Sequence, residues 1–250
     1  MIKLSIIILT WNNIDATRQC LSSLLPVMER SDVETIVIDN ASTDGTQEAL
    51  RREFPQVRLT CNSTNRGIAA ARNQGFMRAT GAKLLILDND TIVNREAIEG
   101  MERYLDEHSD VGLCACRMTD AQGNQQPSFR AYPGVRSKLR SILRLQRRKF
   151  NYKTDADGSI EPLYVIGACQ MMKREAVSQI GMLDEAIFYG PEDADYCLRL
   201  RQAGWRIKYL PQYSIIHAYQ RATARNPFSW LGYKHIKGLL HLYTKYRRIN

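Results

Sequence analysis

Lys3-Leu4-Ser5-Ile6-Ile7-Ile8-Leu9-Thr10-Trp11-Asn12-Asn13 decides the fold class. A strand buried on one face alternates apolar and polar residues, whereas a strand covered on both faces reads as a continuous apolar run. Residues 3–9 form such a run, and it passes directly into an aromatic and two asparagines. The same unit recurs downstream. Residues 33–38 lead into Asp39-Asn40-Ala41-Ser42-Thr43-Asp44-Gly45-Thr46, residues 57–60 form a third short run, and residues 83–87 lead into Asp88-Asn89-Asp90. Helical patterns over 15–28, 44–54, 66–79 and 95–107 separate them. Strands alternating with helices predict an α/β fold with a mostly parallel sheet covered on both faces. Ligands of such sheets bind outside the carboxyl ends of the strands, so the polar residues after each run are the candidate site.

The second half is less regular. Strands are expected at 111–118, 163–166, 206–210 and 213–217, helices at 173–180 and 192–203, and a loop at 155–159. With 250 residues, 44% of them hydrophobic, the chain is long and apolar enough to bury a core, which excludes general disorder. No apolar stretch reaches the roughly 18 residues of a membrane span. The opening run is too short for a signal-peptide core and lacks a small-residue cleavage site, so a secreted protein is not expected. The six cysteines form no CxxC pair and match no zinc spacing with histidine; reduced, mostly buried thiols of a cytosolic protein are expected.

The charge is unevenly spread. Of 35 basic residues, eight lie in 134–153 and seven in 218–250, and neither segment holds an acid, which leaves 20 basic against 26 acidic residues elsewhere. Both segments sort as helices with an apolar and a basic side. In 231–248, Leu231, Ile236, Leu239, Leu240, Leu242, Tyr243 and Tyr246 project one way, and Lys234, Lys237, His241, Lys245 and Arg248 the other. Such helices suit an anionic membrane surface; equally, the apolar side packs on the domain and leaves a solvated basic side. The charge also suits nucleic acid, but no nucleic-acid-binding motif accompanies it, so no nucleic-acid partner is expected.

At the strand ends, Asp88 and Asp90 form an i, i+2 acid pair whose carboxylates share a face. They can hold one hard divalent ion such as Mg²⁺ or Mn²⁺, or simply shape the turn and cap the next helix. Glu192 and Asp193 open a helix after Phe188-Tyr189-Gly190-Pro191, where the macrodipole favours acids whatever their function.

Five segments in order resemble the inverting family 2 glycosyltransferases, in particular bacterial rhamnosyltransferase-like members: Ser5-Ile6-Ile7-Ile8-Leu9-Thr10-Trp11-Asn12, the stretch 37–46, Asn65-Arg66-Gly67-Ile68-Ala69-Ala70-Ala71-Arg72-Asn73-Gln74-Gly75, Leu87-Asp88-Asn89-Asp90, and the stretch 180–204. The resemblance spans about residues 3–217. It implies a GT-A fold, with a Rossmann-like, mostly parallel central sheet and the basic C-terminal helix appended. It implies a catalytic domain at 1–217, divided into a nucleotide-binding half (1–110) and an acceptor and catalytic half (111–217), with 218–250 as a basic amphipathic extension.

The resemblance also assigns roles. Thr10, Trp11 and Asn12 line the nucleotide-sugar site, with Trp11 covering the base. Asp39 accepts the N3–H of a uracil or thymine ring. Arg72 contacts the nucleotide, and Gly167 with its neighbours lets the donor sugar approach the backbone. Asp90 binds Mg²⁺ or Mn²⁺ with His217, and Asp88 joins the ribose or the metal; Asp88-Asn89-Asp90 departs slightly from the Asn-Pro-Asp of many relatives. Asp193, beside Glu192, is the general base. The expected activity is transfer of a sugar from a UDP- or dTDP-sugar to a saccharide or lipid-linked glycan of a bacterial surface polysaccharide, at the inner face of the cytoplasmic membrane. A nucleotidyltransferase would need a glycine-rich phosphate loop near residue 12, which is absent. A non-catalytic glycan- or membrane-binding module on the same fold is the alternative.

Overall fold

The computed structural model describes residues 1–130, 154–218 and 229–246. The opening run is strand β1 (Leu4–Thr10), flanked in parallel by β2 (Val33–Asp39) and β4 (Lys83–Asp88), with β3 (Arg58–Cys61) beyond β2. Register sets Thr10 beside Asp39 and Leu9 beside Asp88, so the polar ends of these strands share one rim. Helices α1 (Ile14–Met28), α2 (Thr46–Glu53) and α3 (Ile68–Arg78) make the crossovers. Past β4 the sheet continues through β10 (Cys169–Lys173), β6 (Val111–Thr119), β11 (Arg206–His217) and β5 (Thr91–Ile92). β10 runs antiparallel to both its neighbours, and β6 and β11 are parallel. β5 pairs Thr91 with His217, which carries the end of β11 back to the turn after β4. β7 (Gln125–Gln126) pairs with β6, and β8 (Phe129–Arg130) and β9 (Tyr164–Val165) form a separate two-stranded sheet.

The unbroken apolar run of β1 has its explanation in two cores. Ile6 and Ile8 pack with Leu21 and Leu24 of α1 and with Ile98 and Met101 of α4 (Arg95–Glu107). Ile7 faces the opposite layer, with Ile36, Ile38, Phe76 of α3, and Tyr196 and Leu200 of α6 (Glu192–Gln202). Helix α3 lies so close to β1 that a Cβ on Gly75 would stand 2.3 Å from Ile7 Cγ2, a mid-helix position only glycine fits. Helix α5 (Arg174–Ile180) covers the same layer through Ala176 and Val177. The six cysteines are free, five of them buried and Cys61 exposed.

Several expected boundaries move for physical reasons. Gly67 sits at φ +82°, so the helix expected over 66–79 begins at Ile68. Asp44 accepts a hydrogen bond from the Thr46 amide and so stands before α2 rather than within it. The strands expected at 206–210 and 213–217 are one strand, β11, whose register shifts between Leu210 and Ser214 around Pro211, a residue that cannot donate to a ladder. β10 was not foreseen: Cys169-Gln170-Met171-Met172-Lys173 has no β-branched or aromatic residue to mark it. The helix expected in the basic segment 134–153 lies outside the described residues.

The C-terminal helix α7 (Trp230–Lys245) is capped by Ser229, whose hydroxyl accepts from the Gly232 amide at 3.1 Å. Leu242 and Tyr246 sink into the second core. Gly238 lies against the Gly190 carbonyl, where a Cβ would stand at 2.6 Å. This seating corrects the projected faces. His241 and Lys245 turn inward, both to Asp184 and Lys245 also to Asp195, while Ile236 and Leu240 face solvent. Among the described residues no helix is long and apolar enough to cross a membrane.

Candidate active site at the strand ends

The rim is built from loops pinned to one another. The Asn12 amide donates to Ser42 Oγ at 2.9 Å, and Asn12 Oδ1 accepts from the Thr43 amide at 2.7 Å. These bonds tie the turn after β1 to the turn after β2, with Asn12 itself at φ +48°, a left-handed position that asparagine tolerates. Trp11 stands out from this platform, 42% exposed. Thr10 is buried, its hydroxyl 2.8 Å from that of Thr17 and receiving the Asn89 side-chain amide at 3.2 Å. Asn89 is thereby held against α1, between the two aspartates of its turn.

Asp39 is fully buried. Its Oδ1 accepts from the Ser42 amide at 3.0 Å and from Gln47 Nε2 at 2.6 Å, and its Oδ2 has no hydrogen-bond partner. Next to it, Asn40 Oδ1 accepts from the Arg66 amide and from Asn62, and Asn40 Nδ2 donates to Asn65, joining the second rim loop to the approach to α3. Asn65 opens the third segment of the resemblance, whereas Gln47 and Asn62 carry no signal in the sequence, because isolated amides make no pattern.

At the end of β4, one ligand atom each from Asp88, Asp90 and His217 lies within 4.8 Å of the others. His217 Nε2 is 3.3 Å from Asp90 Oδ1, and the other ring nitrogen, Nδ1, is 3.2 Å from Gln126 Oε1. Gln126 also donates to the His217 carbonyl at 2.9 Å, so β7 orients the imidazole. Burial depresses the His217 pKa, but the adjacent Asp90 carboxylate outweighs it, and the net shift is upward. Two carboxylates and an imidazole so placed are a donor set that fits a hard divalent cation.

Arg72 is 2% exposed and faces inward. Its guanidinium donates to Asp88 Oδ1 at 2.6 Å, to the Gly167 carbonyl at 3.0 Å and to Glu192 Oε1 at 3.1 Å. These bonds make Arg72 a brace between the end of β4 and the start of α6. Gly167 packs against the same guanidinium: a Cβ there would stand 2.8 Å from Arg72 Nη1. The Gly167 amide in turn donates to Asp193 Oδ2 at 3.3 Å, so the backbone of one residue links Arg72 to the acid expected as base. Glu192 is buried; burial and the neighbouring Asp193 raise its pKa, against the pull of Arg72. Asp195 is directed away into a structural cluster with Arg199, Lys245 and Tyr246.

Removing one partner of a buried charge network leaves the others unpaired, at a cost of about 3–5 kcal/mol. Arg72→Ala is expected to lower unfolding stability by that amount in urea titration, and Arg72→Lys, which keeps the charge but not the fork, by less. An Arg72→Ala melt equal to wild type would show that the brace carries no load.

Residues 5–181 match the family described as Glycosyl transferase family 2. The chain is 30% identical over 233 residues to the N-acetylglucosaminyl-diphospho-decaprenol L-rhamnosyltransferase of Mycobacterium tuberculosis, covering 86% of this chain and 76% of the relative. It is 22% identical over 201 residues to a dTDP-rhamnosyl transferase of Shigella flexneri, covering 79% and 64%. In fold it is similar to a mannosyltransferase from Pyrobaculum calidifontis solved with GDP-Man and Mn²⁺, with a TM-score of 0.63 and 22% identity over 88% of this chain and 58% of that one.

Proposed function

This chain belongs to glycosyl transferase family 2, and from that premise we propose that it is an inverting, divalent-metal-dependent transferase. It moves a sugar, with rhamnose the foremost candidate, from a UDP- or dTDP-sugar to a saccharide or lipid-linked glycan of a bacterial surface polysaccharide. The observation that carries this reading is the chain of contacts Asp88–Arg72–Gly167–Asp193, which joins a cation-fitting cluster to a helix-start acid. The Mycobacterium relative, named for a decaprenyl-diphosphate acceptor, supports the lipid-linked acceptor, and the Shigella relative, named for dTDP-rhamnose, supports the donor.

In this reading residues 1–110 hold the nucleotide and residues 111–217 the acceptor and base, with the basic extension 218–250 at the inner face of the cytoplasmic membrane. Asp88, Asp90 and His217 hold Mg²⁺ or Mn²⁺, which when bound offsets the negative charge developing on the leaving diphosphate. Asp193 takes the proton of the acceptor hydroxyl as its oxygen attacks the anomeric carbon opposite the nucleotide, and the single displacement inverts that centre. Glu192, buried and turned to Arg72, keeps Asp193 as the acid that faces the cleft. Trp11 covers the base by stacking. Asp39 presents Oδ2 to the N3–H of uracil or thymine; cytosine has no proton there, and that oxygen would stay unpaired.

Base choice tests the nucleotide half. Calorimetry is expected to give at least about tenfold tighter binding of UDP or dTDP than of CDP or GDP, the size of one unmatched buried hydrogen bond. Equal affinity for GDP refutes the assignment of Asp39. A non-catalytic module would bind nucleotide and never hydrolyse or transfer from it.

A further inference from the structure

Helix α7 has two working faces. Inward, Gly238 rests on the Gly190 carbonyl, and Leu242 and Tyr246 enter the core. Outward, Trp230, Tyr233, Ile236 and Leu240 are 53, 63, 53 and 60% exposed. Spaced at 230, 233, 236 and 240, they share one helical face. Other exposed large apolar residues, such as Leu25, Met77 and Leu163, fall singly on separate elements, and single ones are ordinary on any protein surface. A stripe of four on one helix is not.

The charge around the stripe identifies what covers it. Lys237 is exposed on the same face, and half-buried Lys234 holds its ammonium over the rings of Trp230 and Phe188, 5.0 and 4.9 Å from their centroids. The acids packed beneath the helix, Asp184 and Asp195, are already engaged by His241, Lys245 and Arg199. No Asp or Glu follows Asp195 in the sequence. A purely apolar partner would bury the exposed Lys237 with no anion to meet it.

We propose that this outward face of α7 lies in the interface of an anionic lipid bilayer. Trp230 and Tyr233 sit at headgroup level, Ile236 and Leu240 enter the acyl boundary, and Lys237 meets headgroup phosphates. The helix is also a mechanical link. Its inner side holds the Gly190–Pro191 turn from which α6 and Asp193 start, so the bilayer surface and the base lie on opposite sides of one helix, about 10 Å across. That placement brings the base to a hydroxyl presented just above a membrane, and it rests on the reading that the acceptor is lipid-linked.

The test is cosedimentation of the full chain with phosphatidylcholine vesicles and with vesicles also containing phosphatidylglycerol. Wild type is expected to bind the anionic vesicles, less so as salt rises. The triple variant Tyr233→Gln, Ile236→Gln, Leu240→Gln is expected to lose at least about tenfold in partitioning, with its melt and slow donor hydrolysis unchanged. Wild type that ignores anionic vesicles overturns the proposal, as does a triple variant that partitions equally well. So does light scattering that shows a dimer dissolved by the same substitutions, because a second copy then covers the face. Vesicle binding by wild type that hydrolyses no donor supports the surface while removing the proposed activity, so the two failures are distinct.

Discussion

Asp193→Asn is expected to lower sugar transfer about a thousandfold while leaving donor affinity near wild type. The substitution removes proton acceptance and almost no volume, and positioned general bases contribute typically 10²–10⁴ in rate. The structure makes this variant clean. Asp193 Oδ2 receives the Gly167 amide and Oδ1 the Ala194 amide, and an asparagine carbonyl can keep one of the two. Glu192 beside it is buried, with Oε1 held by Arg72 and Oε2 unpartnered, so it is the next acid to test if transfer survives. Single-turnover kinetics with a saturating donor separates the two effects: binding kept, chemistry lost. Wild-type transfer by Asp193→Asn would move the base to another acid.

Asp90→Ala is expected to reduce kcat/KM at least about a hundredfold, the several kcal/mol that Lewis-acid stabilisation of the leaving group supplies. The same substitution should weaken Mn²⁺ binding measured by electron paramagnetic resonance without substrate, which separates loss of the cation from loss of fold. His217 is expected to remain seated in the variant, since Gln126 holds it independently through both the ring and the carbonyl. Full activity of wild type in EDTA would contradict both effects.

The parts of this architecture legible from sequence are those governed by short-range pattern. Ile6, Ile7 and Ile8 announce a strand covered on both faces because each face has its own core, and the polar residues after β1, β2 and β4 share a rim because parallel register aligns their ends. What stayed hidden depends on contacts distant along the chain. Arg72 lies in an Ala-rich helix whose pattern does not show which way the side chain turns; its inward turn is set by Glu192, 120 residues away, and by Gly167, 95 away. Gln126 orients His217 from 91 residues away, and nothing about a lone glutamine marks it. The faces of α7 were misassigned for a related reason. A helical projection weighs hydrophobicity alone, whereas the seating is set by Gly238 against a backbone carbonyl and by His241 and Lys245 reaching Asp184. The donor cluster itself was legible only through the resemblance, because Asp88 and Asp90 as an isolated pair also serve as turn residues.

The most direct test is release of nucleoside diphosphate from a panel of nucleotide sugars in the presence of Mn²⁺, with and without a lipid-diphosphate-linked saccharide. Release is predicted from a UDP- or dTDP-sugar, slow alone, accelerated by the acceptor, and abolished by EDTA. Absence of release from every donor with acceptor present, or release undiminished by EDTA, would contradict it.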